Sequence, residues 1–260
     1  MSTAGIDAVT FDFFNTLIFH RDGRGRGAQL IEYFQDQGLS PRPWEHEILY
    51  EVFDIHAEGH PTNPMQAHPA DEDEYATRLA GRLFRCLGVF ASDREIRRHV
   101  APIWRILGPA CFGVFPEVMR TLRALRASGH TLAVISNWPR GLSYFCDKLK
   151  LSDHFEFILA SGEVGAAKPD IRIFAEAASR LGAEPGRVVH VGDSLVDDYC
   201  GASAAGFEAL LVDRDGSRDA HHERVIERLD QLPIWIEARS GCAAKDGRTH
   251  WRRALDDSGQ

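Results

Sequence analysis

No apolar run in the 260-residue chain approaches the roughly 18 to 20 residues a membrane helix needs, so no transmembrane span is predicted. The opening MSTAGIDAV lacks a cationic stretch followed by a long apolar one, so no secretory signal is predicted and a cytoplasmic protein is expected. Basic charge is scarce: 30 Lys and Arg against 38 Asp and Glu leave a net charge of −8, which withholds the basic footprint a nucleic-acid partner requires. The five cysteines, Cys86, Cys111, Cys146, Cys200 and Cys242, are odd in number, scattered and without a CxxC pair, as expected of reduced thiols. Internal repeats and low-complexity blocks are absent. What remains, at 44% hydrophobic residues, is enough to bury a full core in one or two domains.

Short β-branched and aromatic runs at Ala8–Asp12, Thr131–Ile135, Glu156–Ala160, Arg187–Val191 and Ala209–Val212 read as strands. Between the later ones lie amphipathic helical periods, Pro116–Ser128 and Asp170–Leu181, each followed by glycine. Strands alternating with such helices predict an α/β fold with a doubly wound parallel sheet. The alternation is interrupted once, from about Phe19 to Phe112. Helical periods near Ala28–Gln37, Trp44–Ala57, Glu72–Leu87 and Asp93–Leu107 fill that stretch, and no strand is expected in it. The expected division is a discontinuous core of residues 1–18 and 113–239, a helical insert of residues 19–112 and a polar tail of residues 240–260.

The chemistry-bearing residues fall just after the apolar runs or beside helix starts. Asp12 closes the first strand, where a carboxylate faces the ligand crevice of an open α/β sheet and is a candidate nucleophile or metal ligand. Thr16 follows four residues later. Ser136 and Asn137 end the strand TLAVI, and Lys168 stands in AAKPD just before a helix, where the dipole disfavours a cation unless an anion compensates it. Asp193 and Asp198, spaced as GDxxxxD, are hard oxygen donors suited to Mg²⁺; Asp197 competes for the second place.

In this order, FDFFNTL, VISNW, SGEVGAAKPDIRIF and VVHVGDSLVDDYCGASAAGF resemble the four motifs of the haloacid dehalogenase (HAD) superfamily, over about Ile6 to Ile236. The resemblance implies a Rossmann-like core whose helical insert is a cap closing over the crevice. It implies that Asp12 is the nucleophile and that Thr16 orients it. Ser136, the Asn137 amide and Lys168 would bind the reacting group. Mg²⁺ would be held by Asp12, the Phe14 carbonyl, Asp193 and Asp198, and the substrate would be a small phosphorylated or halogenated molecule.

Phe14 departs from the phosphatase pattern, which places a second Asp two residues after the nucleophile to protonate the leaving oxygen. General acid–base help is typically worth ~10² to 10⁴ in rate. One reading is a Mg²⁺-dependent phosphatase whose substrate needs no acid, or which takes one from His20, His46, His56, His60 or His68. The runner-up is a 2-haloacid dehalogenase, since halide leaves without a proton and an aromatic at this position fits. Against it, Asp193 beside Asp12 without a cation would weaken the nucleophile, and Phe174 stands six after Lys168, where dehalogenases commonly carry Tyr. Phosphonoacetaldehyde hydrolase needs an insert lysine; here the only lysines are Lys148, Lys150, Lys168 and Lys245. A degenerate protein that only binds a phosphorylated ligand is the non-enzymatic alternative. In the segment HRDGRGRG, Arg21, Arg24 or Arg26 can meet an anionic substrate, and Trp138 and Trp44 can line a pocket.

Overall fold

The computed structural model describes residues 5–43, 48, 52, 72–216 and 224–241. Six parallel strands form one sheet: β1 (Ala8–Phe11), β4 (Thr131–Ser136), β5 (Phe157–Ala160), β6 (Val188–Gly192), β7 (Glu208–Val212) and β8 (Val225–Ile226). Their spatial order is β5-β4-β1-β6-β7-β8, so β1 lies at the centre with β4 on one side and β6 on the other. Phe11 pairs with Val134 of β4 and Val191 of β6, which aligns the carboxyl ends of the three strands. That is the switch point of a doubly wound sheet, where ligands bind.

Every residue of β1 is buried, as are those of β6, because helices cover both faces of the sheet and leave no polar side to the strands. The covering helices are α4 (Val118–Ala127), α5 (Leu142–Lys148), α6 (Ser161–Val164), α7 (Ile171–Leu181), α8 (Gly201–Ala204) and α9 (Leu232–Gly241). Asp170 caps α7 by accepting from the Arg172 amide, and Gly182, at φ 59°, ends it.

Three helices of the insert precede them in the chain: α1 (Arg26–Asp36), α2 (Glu72–Cys86) and α3 (Asp93–Leu107). They bury Leu30, Phe34, Leu79, Leu83, Ile103 and Leu107 in an apolar cluster separate from those of the sheet. Of the expected helix at Trp44–Ala57 only Ile48 and Val52 are described; both are helical and both belong to that cluster. His46, His56, His60, His68, Trp44 and residues 242–260 lie outside the described residues. No helix among the described residues is long and apolar enough to cross a membrane.

The insert is not purely helical, contrary to the expectation from sequence. The chain enters and leaves it through a two-stranded antiparallel ribbon, β2 (Ile18–His20) and β3 (Phe112–Val114), with Phe19 opposite Gly113. Three residues are too few to show an alternating pattern, and Gly113 hides the rest of the signal. A Cβ there would stand 2.5 Å from the Phe19 ring, so glycine is what lets the ring lie across the partner strand.

Candidate active site

The site is built where β1, β4 and β6 end. Asp12 follows β1, Ser136 closes β4, and Asp193 follows β6. Asp198 lies in the π-helical turn Leu195–Cys200 that begins just beyond. One oxygen from each of Asp12, Asp193 and Asp198 lies within 4.8 Å of the others. Asp197 is not in this cluster; its amide donates to the Ser194 hydroxyl.

Lys168 enters from the loop before α7 and is 4% exposed. Its Nζ donates to Asp12 Oδ1 at 2.6 Å and to Asp198 Oδ1 at 2.5 Å. These two carboxylates are the anions that offset the cost of its burial near a helix start. Burial alone would lower the Lys168 pKa, but the two carboxylates outweigh it and hold the ammonium charged. Its loop is fixed to the end of β4 by Asn137, whose Nδ2 donates to the Lys168 carbonyl at 2.9 Å and whose Oδ1 accepts from the Lys168 amide at 2.7 Å.

Ser136 Oγ donates to the same Asp12 Oδ1 at 3.0 Å. Oδ2 of Asp12 receives no side-chain donor from the described residues. Burial holds the Asp12 carboxyl up at about 6; Lys168 opposes this, while Asp198 and Asp193 reinforce it. Asp193 is also raised, by burial and then by Asp198. Asp198 is lowered: burial would raise it, but Lys168 and His190 outweigh burial.

Thr16 makes no hydrogen bond to Asp12 in this arrangement. Its Oγ1 is buried without a hydrogen-bond partner among the described residues, and the side-chain donors to Asp12 are Ser136 and Lys168. Phe14 is partly exposed, and no hydrogen bond from the described residues reaches its carbonyl. Its neighbour Asn15 adopts a left-handed backbone, φ 60°, and its Nδ2 donates to Asp193 Oδ2 at 3.3 Å.

Three residues of the site carry no motif signal on their own. His190, 1% exposed, lies between Thr10 Oγ1 at 2.9 Å and Asp198 Oδ1 at 3.1 Å. Burial depresses its pKa, and a neutral ring with its proton on Nε2 satisfies both contacts. A histidine inside the otherwise apolar run VVHVG was the available clue. Asn15 and Arg214 are the others. Arg214 donates to the Asn15 carbonyl at 3.0 Å, the Thr16 carbonyl at 2.6 Å and Glu117 at 2.6 Å, pinning the loop that follows Asp12. An open cleft of about 350 Å³ is lined by Asn15, Phe115, Arg214 and one carboxylate of the cluster, Asp193.

Gly192 is required by the same packing. A Cβ there would lie 2.1 Å from Asp198 Cγ. Gly192→Ala should therefore displace Asp198 from Lys168 and His190, cost roughly 1 to 3 kcal/mol as overpacking does, and lower turnover at least tenfold. An alanine variant with wild-type melting temperature and turnover would show that Asp198 has room to move.

Comparison with known proteins places this geometry. Residues 6–206 match the family model described as haloacid dehalogenase-like hydrolase. The chain is 30% identical over 235 residues to haloacid dehalogenase-like hydrolase domain-containing protein 3 of Danio rerio, covering 88% of this chain and 96% of that one. It is 38% identical over 133 residues to a glyceraldehyde 3-phosphate phosphatase of Methanothermobacter thermautotrophicus, covering 45% of this chain and 56% of the other. Among solved structures, a 2-haloacid dehalogenase from Pseudomonas syringae pv. Tomato superposes with a TM-score of 0.59 at 27% identity, over 89% of this chain and 98% of that one. The chain belongs to the haloacid dehalogenase-like hydrolase family and is a hydrolase.

Proposed function

We propose that this hydrolase is a Mg²⁺-dependent phosphatase acting on a small phosphorylated metabolite through an aspartyl-phosphate on Asp12. The observation that carries the reading is a charge imbalance. Three carboxylates converge on one buried ammonium, Lys168, and the neutral His190 adds no compensation. Burial raises two of the three, Asp12 and Asp193, and repulsion from Asp198 adds to the rise in both, as uncompensated carboxylates do. Hard oxygen donors in that deficit fit Mg²⁺, with Asp12, Asp193, Asp198 and the Phe14 carbonyl as its protein ligands. When bound, the ion supplies Lewis-acid neutralisation of phosphoryl charge.

The chain's own residues do the rest. Asp12 Oδ2 attacks phosphorus while Ser136 and Lys168 hold Oδ1 and so fix the carboxylate plane. The alcohol or acyl oxygen leaves with the bonding pair. Lys168, together with Ser136 and the Asn137 amide, offsets the charge on the transferred group. Water then attacks the acyl phosphate at phosphorus, releasing phosphate and restoring Asp12. The insert of residues 19–112 acts as the cap, excluding bulk water from the crevice. The phosphatase-named relative supports this reading, as does the fit of a divalent cation to the carboxylates.

A second reading, 2-haloacid dehalogenase, is favoured by Phe14 and by the solved relative of that name. Phe174 does not help it: the ring is fully buried and meets His190 edge-on at 5.2 Å.

One experiment separates the two. Phosphate release from aryl and alkyl phosphates is measured with Mg²⁺, beside halide release from a 2-haloacid. We expect phosphate release only, and aryl phosphates to turn over at least about tenfold faster than alkyl phosphates, because Phe14 cannot protonate the leaving oxygen. Halide release without phosphate release would establish the dehalogenase. Equal aryl and alkyl rates would mean that another residue supplies the proton.

A further inference from the structure

The three arginines of HRDGRGRG have different environments. Arg24 is neutralised by Asp22 at 2.7 Å and Glu32 at 2.5 Å, and Arg21 Nε donates to the Phe112 carbonyl at 2.8 Å. Arg26, the first residue of α1, has no carboxylate and no hydrogen-bond acceptor among the described residues. Its guanidinium carbon lies 5.2 Å from the Phe14 ring centre, 5.4 Å from that of Phe112 and 5.8 Å from that of Trp138. The rings support one another edge-on, Phe14 with Phe112 and Phe112 with Trp138, each pair at 6.0 Å.

Ring faces attract a cation but do not replace the hydrogen bonds its N–H groups lose on leaving water. Desolvation accordingly lowers the Arg26 pKa. Two further features call for an anion. The first turn of α1 has neither an acidic residue nor a side-chain cap, so the positive end of its dipole adds to the charge of Arg26. Trp138, 5% exposed, has its indole N–H buried without an acceptor. Buried donors of this kind normally have partners, and Arg26 is partly exposed as a residue although its charged end is desolvated.

The wall also has a defined place. Phe14 stands two residues after Asp12, where the resemblance to the phosphatases of the family implies a carboxylate that meets the leaving oxygen. Trp138 directly follows the Asn137 that ties the end of β4 to Lys168. An anion on this wall therefore belongs to the part of the substrate that departs, not to the group that Asp12 attacks.

We infer that Arg26, backed by Phe14, Phe112 and Trp138, binds a carboxylate on the leaving-group side of the substrate, so that the enzyme selects phosphorylated carboxylic acids. The inference rests on Asp12 attacking a phosphoryl group, as proposed above. A carboxylate is favoured over a second phosphate by charge count. A single guanidinium matches one planar monoanion bidentately, and the other buried cation nearby, Lys168, is already committed to Asp12 and Asp198.

The test uses ligands matched in size. Calorimetry on the Mg²⁺-loaded protein compares 2-carboxyethylphosphonate with propylphosphonate and with a three-carbon bisphosphonate, none of which requires turnover. Wild type should bind the carboxylate ligand at least about tenfold tighter than the alkyl one, as a charge-assisted pair implies. Arg26→Met, which keeps the aliphatic stem, should reduce that ratio to about one, and Arg26→Lys should restore part of it. A wild-type ratio near one, or a ratio unchanged in Arg26→Met, overturns the inference while leaving the phosphatase reading intact. Tighter binding of the bisphosphonate would assign the wall to a second phosphate instead. Failure of every phosphonate to bind, together with halide release in the assay above, would remove the phosphatase reading itself.

Discussion

Asp12→Asn should abolish turnover, by about 10⁴-fold or more, while the protein folds normally. The amide is nearly isosteric and can still accept from Ser136 Oγ and Lys168 Nζ through its Oδ1, so the contacts that fix the side chain survive. What is lost is the nucleophilic charge on the second oxygen, and removing a covalent catalyst's nucleophile typically costs several orders of magnitude. Stability should not fall. The folded protein holds the Asp12 proton more tightly than an unfolded chain would, since burial lifts its pKa to about 6 from 3.8. Ionising it at neutral pH therefore works against folding in the metal-free protein, and an uncharged Asn removes that penalty. The variant should melt at or above the wild-type temperature without metal, whereas a structural role for Asp12 would lower it. Mass spectrometry of enzyme trapped during turnover should place the phosphoryl adduct on Asp12. An adduct on another residue, or measurable turnover by the variant, would reassign the nucleophile.

Much of this site was legible in the sequence because its chemistry sits where secondary structure ends. A carboxylate after AVTF, a hydroxyl after TLAVI and GDxxxxD after VVHV are each out of character for the apolar run they follow. Parallel strand order then brings the three ends together. The sheet was legible for the same reason, since strands buried on both faces are apolar throughout. The ribbon of Ile18–His20 and Phe112–Val114 was not, because its two halves are 91 residues apart between Arg21 and the Phe112 carbonyl that holds them, and neither half is long enough to show a period. Long-range partnership was likewise invisible at Arg26 and Arg214. Arg26 was one of three arginines of HRDGRGRG that could meet an anion and Arg214 carried no signal, and only the folded chain sets one on three aromatic rings and the other on the backbone after Asp12. Thr16 shows the converse: its motif position suggests a bond to the nucleophile, yet its hydroxyl is buried without a partner among the described residues while Ser136 and Lys168 hold Asp12 through Oδ1.

Removing the metal should silence the enzyme nearly as completely as removing the nucleophile. Without a cation, Asp12 faces Asp193 and Asp198 with Lys168 as the one buried ammonium among them, and its carboxylate is held partly protonated near neutral pH. A divalent ion would lower both Asp12 and Asp193 and leave the nucleophile ionised. Chelator should therefore reduce phosphate release by roughly 10³-fold or more, and added Mg²⁺ should restore it. Binding has its own readout in the melting temperature. A ligand at 100 times its dissociation constant stabilises by about 2.7 kcal/mol, which for a chain of this size is a rise of roughly 5 to 10 °C. Asp193→Asn is the informative variant. Asp198 anchors Lys168, His190 and the Ser194 amide, so changing it would disturb three donors at once and confuse metal loss with misfolding. Asp193 is partly exposed and meets Asn15 at 3.3 Å, a contact an amide can keep. Its substitution should leave the metal-free melting temperature within a degree or two and raise the Mg²⁺ concentration for half-activity at least tenfold. Unchanged turnover in chelator, with no thermal shift on adding Mg²⁺, would instead mean that Lys168 alone balances the three carboxylates and that the chemistry is metal-free.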